Sequence, residues 1–119
     1  MRVKALSVAL IFFALIGCAP IVDVTKTVKG AYNPANPNDV EILMTRPEKP
    51  YVELGSVTAS GFDLGDTAQM HNAIRARSAP LGADAVILTN QGIVPLTFGG
   101  YTQWATGVAI RYTNEGPQK

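Results

Sequence analysis

One cysteine in 119 residues, Cys18, leaves the chain unable to close a disulfide on itself. One histidine, His71, leaves it without the clustered imidazoles and thiolates that make a zinc site legible in a sequence. Charge is scarce too: ten Lys and Arg stand against nine Asp and Glu, for a formal net charge of +1. No basic cluster breaks that balance, which argues against a nucleic-acid-binding surface. The apolar run Ala5–Ile16 covers twelve residues, where spanning a bilayer takes roughly 20. A transmembrane helix is therefore not expected.

What stands at the N-terminus is a targeting segment. Arg2 and Lys4 precede the apolar run, which closes in Leu15-Ile16-Gly17-Cys18. A short basic start followed by a short apolar stretch is the pattern of a signal peptide. The closing tetrapeptide resembles the bacterial lipobox, in which a cysteine is acylated on sulfur and the chain is then cleaved on its N-terminal side. That resemblance makes residues 1–17 a lipoprotein signal peptide and Cys18 the lipid attachment site and first mature residue. Several acyl chains make a lasting anchor, since one alone holds a protein only marginally. In diderm lipoproteins of this kind an aspartate after the cysteine favours the inner membrane. Ala19 stands there instead, so the expected location is the periplasmic face of the outer membrane. A conventional secretory peptide is the alternative.

Without residues 1–17 the chain has eight positive and nine negative side chains over 102 residues, an ordinary composition for one domain with one core. Residues 18–39 carry Pro20, Pro34 and Pro37 and hold no helical period, so they read as the lipidated N-terminus and a flexible tether. A second reading makes Ile21–Val28 an edge strand, because Val22, Val24 and Val28 partly alternate with polar residues.

The domain is expected over 40–113, with 114–119 as a tail. Val40, Ile42 and Met44 share one face of a first strand, which Pro47 and Pro50 end. Between Tyr51 and Ser60 the apolar residues Val52, Leu54, Val57 and Ala59 are spaced two, three, two. One slip of phase beside Gly55 is what a β-bulge produces. Asp66 and Gln69 read as an N-cap with a capping box. Met70, Ala73, Ile74 and Leu81 then fall on one stripe at helical spacing, and the helix is expected to end by Ala79, ahead of Pro80. Ala85-Val86-Ile87-Leu88 is a continuous apolar run, expected as a strand buried on both faces. In the last strand bulky Trp104, Val108, Ile110 and Tyr112 alternate with small Ala105, Gly107 and Ala109. The small face admits a helix, and the bulky face needs another cover. The expected fold is α+β in the order β-β-α-β-β, a small antiparallel or mixed sheet with one helix packed on one face.

These segments also carry a resemblance. Pro50-Tyr51-Val52-Glu53-Leu54-Gly55-Ser56-Val57, then a helix, then Leu81-Gly82-Ala83-Asp84-Ala85-Val86-Ile87 and a closing Gly107-Val108-Ala109-Ile110-Arg111-Tyr112 are similar to many small bacterial lipoproteins. That group looks structurally related to the YbjQ-like domains, to which heavy-metal binding is ascribed, and to the stress-sensing outer-membrane lipoprotein of the Rcs phosphorelay. The sensor's core cysteines have no counterpart here.

For chemistry the sequence offers little. His71 with Asp63 and Asp66 is the one grouping with metal-ligand types, but no pair has the i, i+4 spacing that preforms a helical site; no metal or other cofactor is expected. Asp84, beside Gly82, reads as a partner for backbone amides. Ser56, Ser60 and Ser78 lack a nucleophile motif, and no enzyme is expected. Gly99-Gly100 reads as a two-residue hairpin turn that sets Phe98 opposite Tyr101. Apolar area concentrates around it, and Phe98, Tyr101, Trp104, Val108, Ile110 and Tyr112 form the candidate interaction surface. The expected function is that of a membrane-anchored envelope lipoprotein acting as a non-catalytic interaction or sensory module, with a second copy or another envelope protein as partner. The alternative is a small-molecule or metal-ion-binding domain.

Overall fold

A computed structural model of the chain describes residues 20–113; the signal segment, Cys18 and the tail 114–119 lie outside the described residues. Five strands, β1 (Ile21–Lys26), β2 (Glu41–Leu43), β3 (Tyr51–Asp63), β4 (Ala85–Pro95) and β5 (Tyr101–Tyr112), form one mixed sheet, and the helix α1 (Thr67–Ser78) packs on one face of it. The chain order among the described residues is β-β-β-α-β-β, an α+β fold. Across the sheet the order is β1-β3-β5-β4-β2, antiparallel throughout except for the parallel pair β2 and β4.

The first strand corrects the expected tether. Ile21–Lys26 pairs with β3, from Ile21 opposite Ser60 to Lys26 opposite Gly55. The reason is burial as well as pairing, for Val22, Val24 and Val28 pack against the main core. Beyond it the chain stays on the domain. The Val28 amide donates to the Leu54 carbonyl at 3.2 Å, that of Ala35 to the Ala79 carbonyl at 2.8 Å, and Asn36 caps a short 3-10 turn at Pro37–Asp39. Among the described residues the folded unit thus begins at Ile21 rather than at Val40. The strand expected from Val40 is short, and Met44 stands exposed past its end.

Strand β3 has the expected irregularity. Its register on β5 shifts between Glu53 and Gly55, and again between Ala59 and Phe62, so Leu54, Val57, Ala59 and Phe62 are all buried. They meet Met70 and Ile74 of the helix together with Ala105 and Ala109 of β5 in one core. The small face of β5 therefore does receive the helix, as its alanines and glycine predict. Ala85–Leu88 is buried throughout, flanked by β2 and β5.

The start of the helix differs from expectation, while its end falls before Pro80 as expected. A 3-10 turn, Leu64–Asp66, runs straight into α1, and Asp66 at φ −104° and ψ 29° makes no capping bond with its side chain. A cap needs an extended backbone to aim its oxygen back at the first amides, and the turn denies it. At the other end α1 stops at Ser78, and a 3-10 turn over Ala79–Leu81 takes the chain through Pro80. Gly82 closes it in the left-handed region at φ 87°.

Candidate functional site

Because a strand turns alternate residues to opposite faces, the helix covers only half of the sheet. The uncovered face is built from β5 outward. Ile110 and Ala85 are fully buried there with Ile87, and Leu43, Tyr51, Val108 and Tyr112 pack against them while remaining half-buried. Val108 lies opposite Ile87 on one side and Ser56 on the other, and Tyr112 lies opposite Tyr51. Trp104 extends this strip toward the hairpin. It sits opposite Gly92, where a Cβ would stand 2.8 Å from the indole ring. Only glycine lets the indole lie flat on β4 at that point.

The six candidate residues thus fall into three groups. Ile110 is core and offers nothing to a partner. Trp104, Val108 and Tyr112 share the uncovered face, half-buried. Phe98 and Tyr101 belong to the hairpin tip, where Phe98 is wholly exposed at 101%. The expected Phe98–Tyr101 pairing does not form, because Tyr101 lies opposite Pro95. The loop is Leu96–Gly100. Leu96 accepts from the Gly99 amide at 3.2 Å and donates to the Gly100 carbonyl at 2.9 Å. Thr97 and Phe98 are the centre of the turn, and Gly99 and Gly100, at φ 99° and 85°, return the chain to β5. Tyr51 and Leu43 were missed as members of the face. The signal for Tyr51 was its alternation with Val52 and Leu54 on β3.

Polar groups frame one end of this face. The Asp84 carboxylate accepts the Tyr112 amide at 2.9 Å, a backbone role as the sequence implies but reaching across to β5. The Lys49 ammonium stands 5.2 Å from the centre of the Tyr112 ring. Burial, then the nearby Glu41 and Asp84 carboxylates, push the Tyr112 phenol above its usual range. It remains a neutral hydrogen-bond donor at physiological pH. Toward the hairpin, the Thr89 hydroxyl meets that of Thr106 at 3.2 Å. A surface cleft of about 450 Å³ lies against Arg46–Glu53, beside Tyr51.

The other candidates lie apart from this face. His71 is half-buried on α1, its Nε2 buried without a partner among the described residues. Burial, and then Arg75 one turn along, hold its imidazole below the ordinary value. Asp63 and Asp66 bracket the 3-10 turn ahead of the helix; among the described residues no group of three or more His, Cys, Asp or Glu stands close enough to hold an ion. Ser56 faces away from the helix with Val108, so the sheet separates it from His71. Ser60 lies opposite Ile21 at the edge strand. Ser78 is two turns from His71, about 10 Å along the axis, and is itself fully buried.

No protein-family model matches the chain, and no curated protein does. Among solved structures, the crystal structure of the Francisella virulence factor FvfA is similar. It shares 10% sequence identity at a TM-score of 0.54, over 76% of this chain and 98% of that one. At that identity the likeness is one of fold.

Proposed function

We propose that the chain is a bacterial envelope lipoprotein, held to the periplasmic face of the outer membrane through acylated Cys18, whose domain is a non-catalytic interaction or sensory module. The lipobox-like Leu15-Ile16-Gly17-Cys18 supports the anchor. The observation that carries the module is the one-sided sheet. Trp104, Val108 and Tyr112 lie half-exposed on a face that the helix leaves open, beside Tyr51 and Leu43. Aromatic side chains held rigidly by strands lose little entropy on docking, and such anchors dominate the energetics of protein contacts. The partner on this reading is a second copy or another envelope protein.

Sedimentation of the chain from Ala19 onward tests it. We expect concentration-dependent association that Trp104→Ala weakens at least tenfold, equivalent to about 1.4 kcal/mol, with an unchanged circular dichroism spectrum. A wild-type chain that stays monomeric and pulls nothing from crosslinked envelopes contradicts the reading.

A further inference from the structure

We propose that the β4–β5 hairpin is a membrane-dipping finger that enters the same lipid leaflet as the acyl chains on Cys18. The inference rests on the lipoprotein reading and adds to it a second, protein-borne contact with the lipid surface.

The sheet register carries the first part of the argument. Strand β1 starts at Ile21, opposite Ser60, and β3 continues from there to Asp63, opposite Thr102. Thr102 in turn pairs with Val94, at the root of the hairpin tip. Pro20 lies at the same end, its Cα 3.5 Å from where a Cβ on Gly61 would stand. Cys18 is two residues before Pro20. The described chain therefore enters the domain, two residues after Cys18, at the end where the hairpin tip leaves it.

The second part is composition. Ile21, Leu64, Ile93, Leu96, Phe98 and Tyr101 are exposed, and all stand at this end. With Val94 they leave only Tyr32 and Met44 elsewhere as exposed large apolar side chains among the described residues. The whole stretch 85–110, which includes all of β4 and β5 as far as Ile110, contains no Asp, Glu, Lys or Arg. An exposed finger without charge is poorly suited to water and well suited to the boundary between headgroups and acyl chains.

Reach agrees as well. One strand pair, Pro95 with Tyr101, and the loop 96–100 carry the tip up to about 10 Å past Thr102, and two extended residues let Cys18 travel about 7 Å from Pro20. Interfacial segments bury their apolar face about 5–10 Å deep. Asp63 and Asp66, at the root of the hairpin, set the limit of penetration, since their carboxylates belong at headgroup level or in water. Tyr101 then sits where aromatic rings concentrate at membrane interfaces. The bond from Gln103 Nε2 to the Asp63 carbonyl, 2.7 Å, and that to Thr67 Oγ1, 3.0 Å, tie β5 to the end of β3 and to the helix just behind the tip. The finger is thereby held out from a braced base.

The test uses the full chain, acylated in a bacterial envelope, purified and reconstituted in vesicles of phosphatidylethanolamine and phosphatidylglycerol. Intact mass first reports whether Cys18 carries lipid. Acylation occupies the only native thiol, so Phe98→Cys accepts one environment-sensitive fluorophore, and Ala76→Cys, on the exposed side of the helix, serves as control. We expect nitroxides on the lipid acyl chains to quench the probe at 98 at least about threefold more than the probe at 76, and aqueous iodide to quench it less. Equal quenching at the two positions in an acylated chain overturns the finger and leaves the lipoprotein reading standing. A chain without lipid on Cys18 overturns both. Circular dichroism confirms that the two variants fold.

Discussion

A single carboxylate shows how a residue read from its neighbours can hold distant strands together. Asp84 lies where the chain enters β4; its side chain takes the Tyr112 amide, its own amide donates to the Ile110 carbonyl, and its carbonyl accepts from Glu41. It thus joins β2 and β5 to the start of β4. Removing the side chain strands a part-buried amide, so Asp84→Ala should cost about 1–3 kcal/mol while Asp84→Asn, which keeps an acceptor, should cost less. Urea unfolding checks this, and equal stability of all three chains would refute it. The backbone role of Asp84 was legible from Gly82 beside it, but its partner, 28 residues on, was not. Asp66 is the opposite case. Its position at the helix start was readable, yet the 3-10 turn before it removes the capping bond that the residue type implies.

His71 gives a pH dependence whose sign follows from its surroundings. Burial and Arg75 lower its folded pKa below the ordinary 6.5. The unfolded chain therefore binds the proton more readily over that interval, and stability rises with pH there. The contribution is complete above about 6.5, the unfolded value, and is lost as pH falls toward the lowered folded value. Urea midpoints between about pH 7.5 and 5.5 should fall more steeply in the native chain than in His71→Gln. Parallel curves would show that His71 carries no linkage.

At the scale of elements, the pattern of apolar residues located the bulge in β3, the single helix and the helix-covered face of β5, because each is recorded in local spacing. Strand β1 is different. Only Val22 and Val24 of it face the core, and the prolines that follow look like those of a linker; its pairing depends on β3, some 30 residues away. Gly55 is the residue that permits it. A Cβ there would collide with the Thr25 carbonyl and lie 3.0 Å from the Lys26 Cα. Gly55→Ala should destabilise the domain by about 1–3 kcal/mol and raise amide exchange in β1 more than in β4. Unchanged exchange in β1 would mean that it is not held as described. The hairpin misled for a related reason. A Gly-Gly pair suits a two-residue turn, and it equally suits the return of a longer loop, so the centre of the turn moved to Thr97-Phe98 without any change in local signal.

At the scale of the molecule the chain distributes its apolar surface unevenly. One face of the sheet is closed by α1, the other leaves Trp104, Val108 and Tyr112 half-open, and one end gathers the exposed apolar side chains around the hairpin. The alternation in β5 announced the open face. The six candidate residues could not be sorted from sequence alone, since which of them is core, face or tip depends on where β3, β4 and the loop at 96–100 meet them. The proposed function requires the open face to be a docking surface. A photo-crosslinking amino acid at Val108, in the full chain made in bacterial cells, tests that most directly, with the same probe at Ala76 on the exposed side of the helix as control. We predict a discrete adduct from position 108, to a second copy or to one envelope protein, that Trp104→Ala abolishes and that position 76 does not form. Position 108 giving no adduct, or the same adducts as position 76, would contradict it.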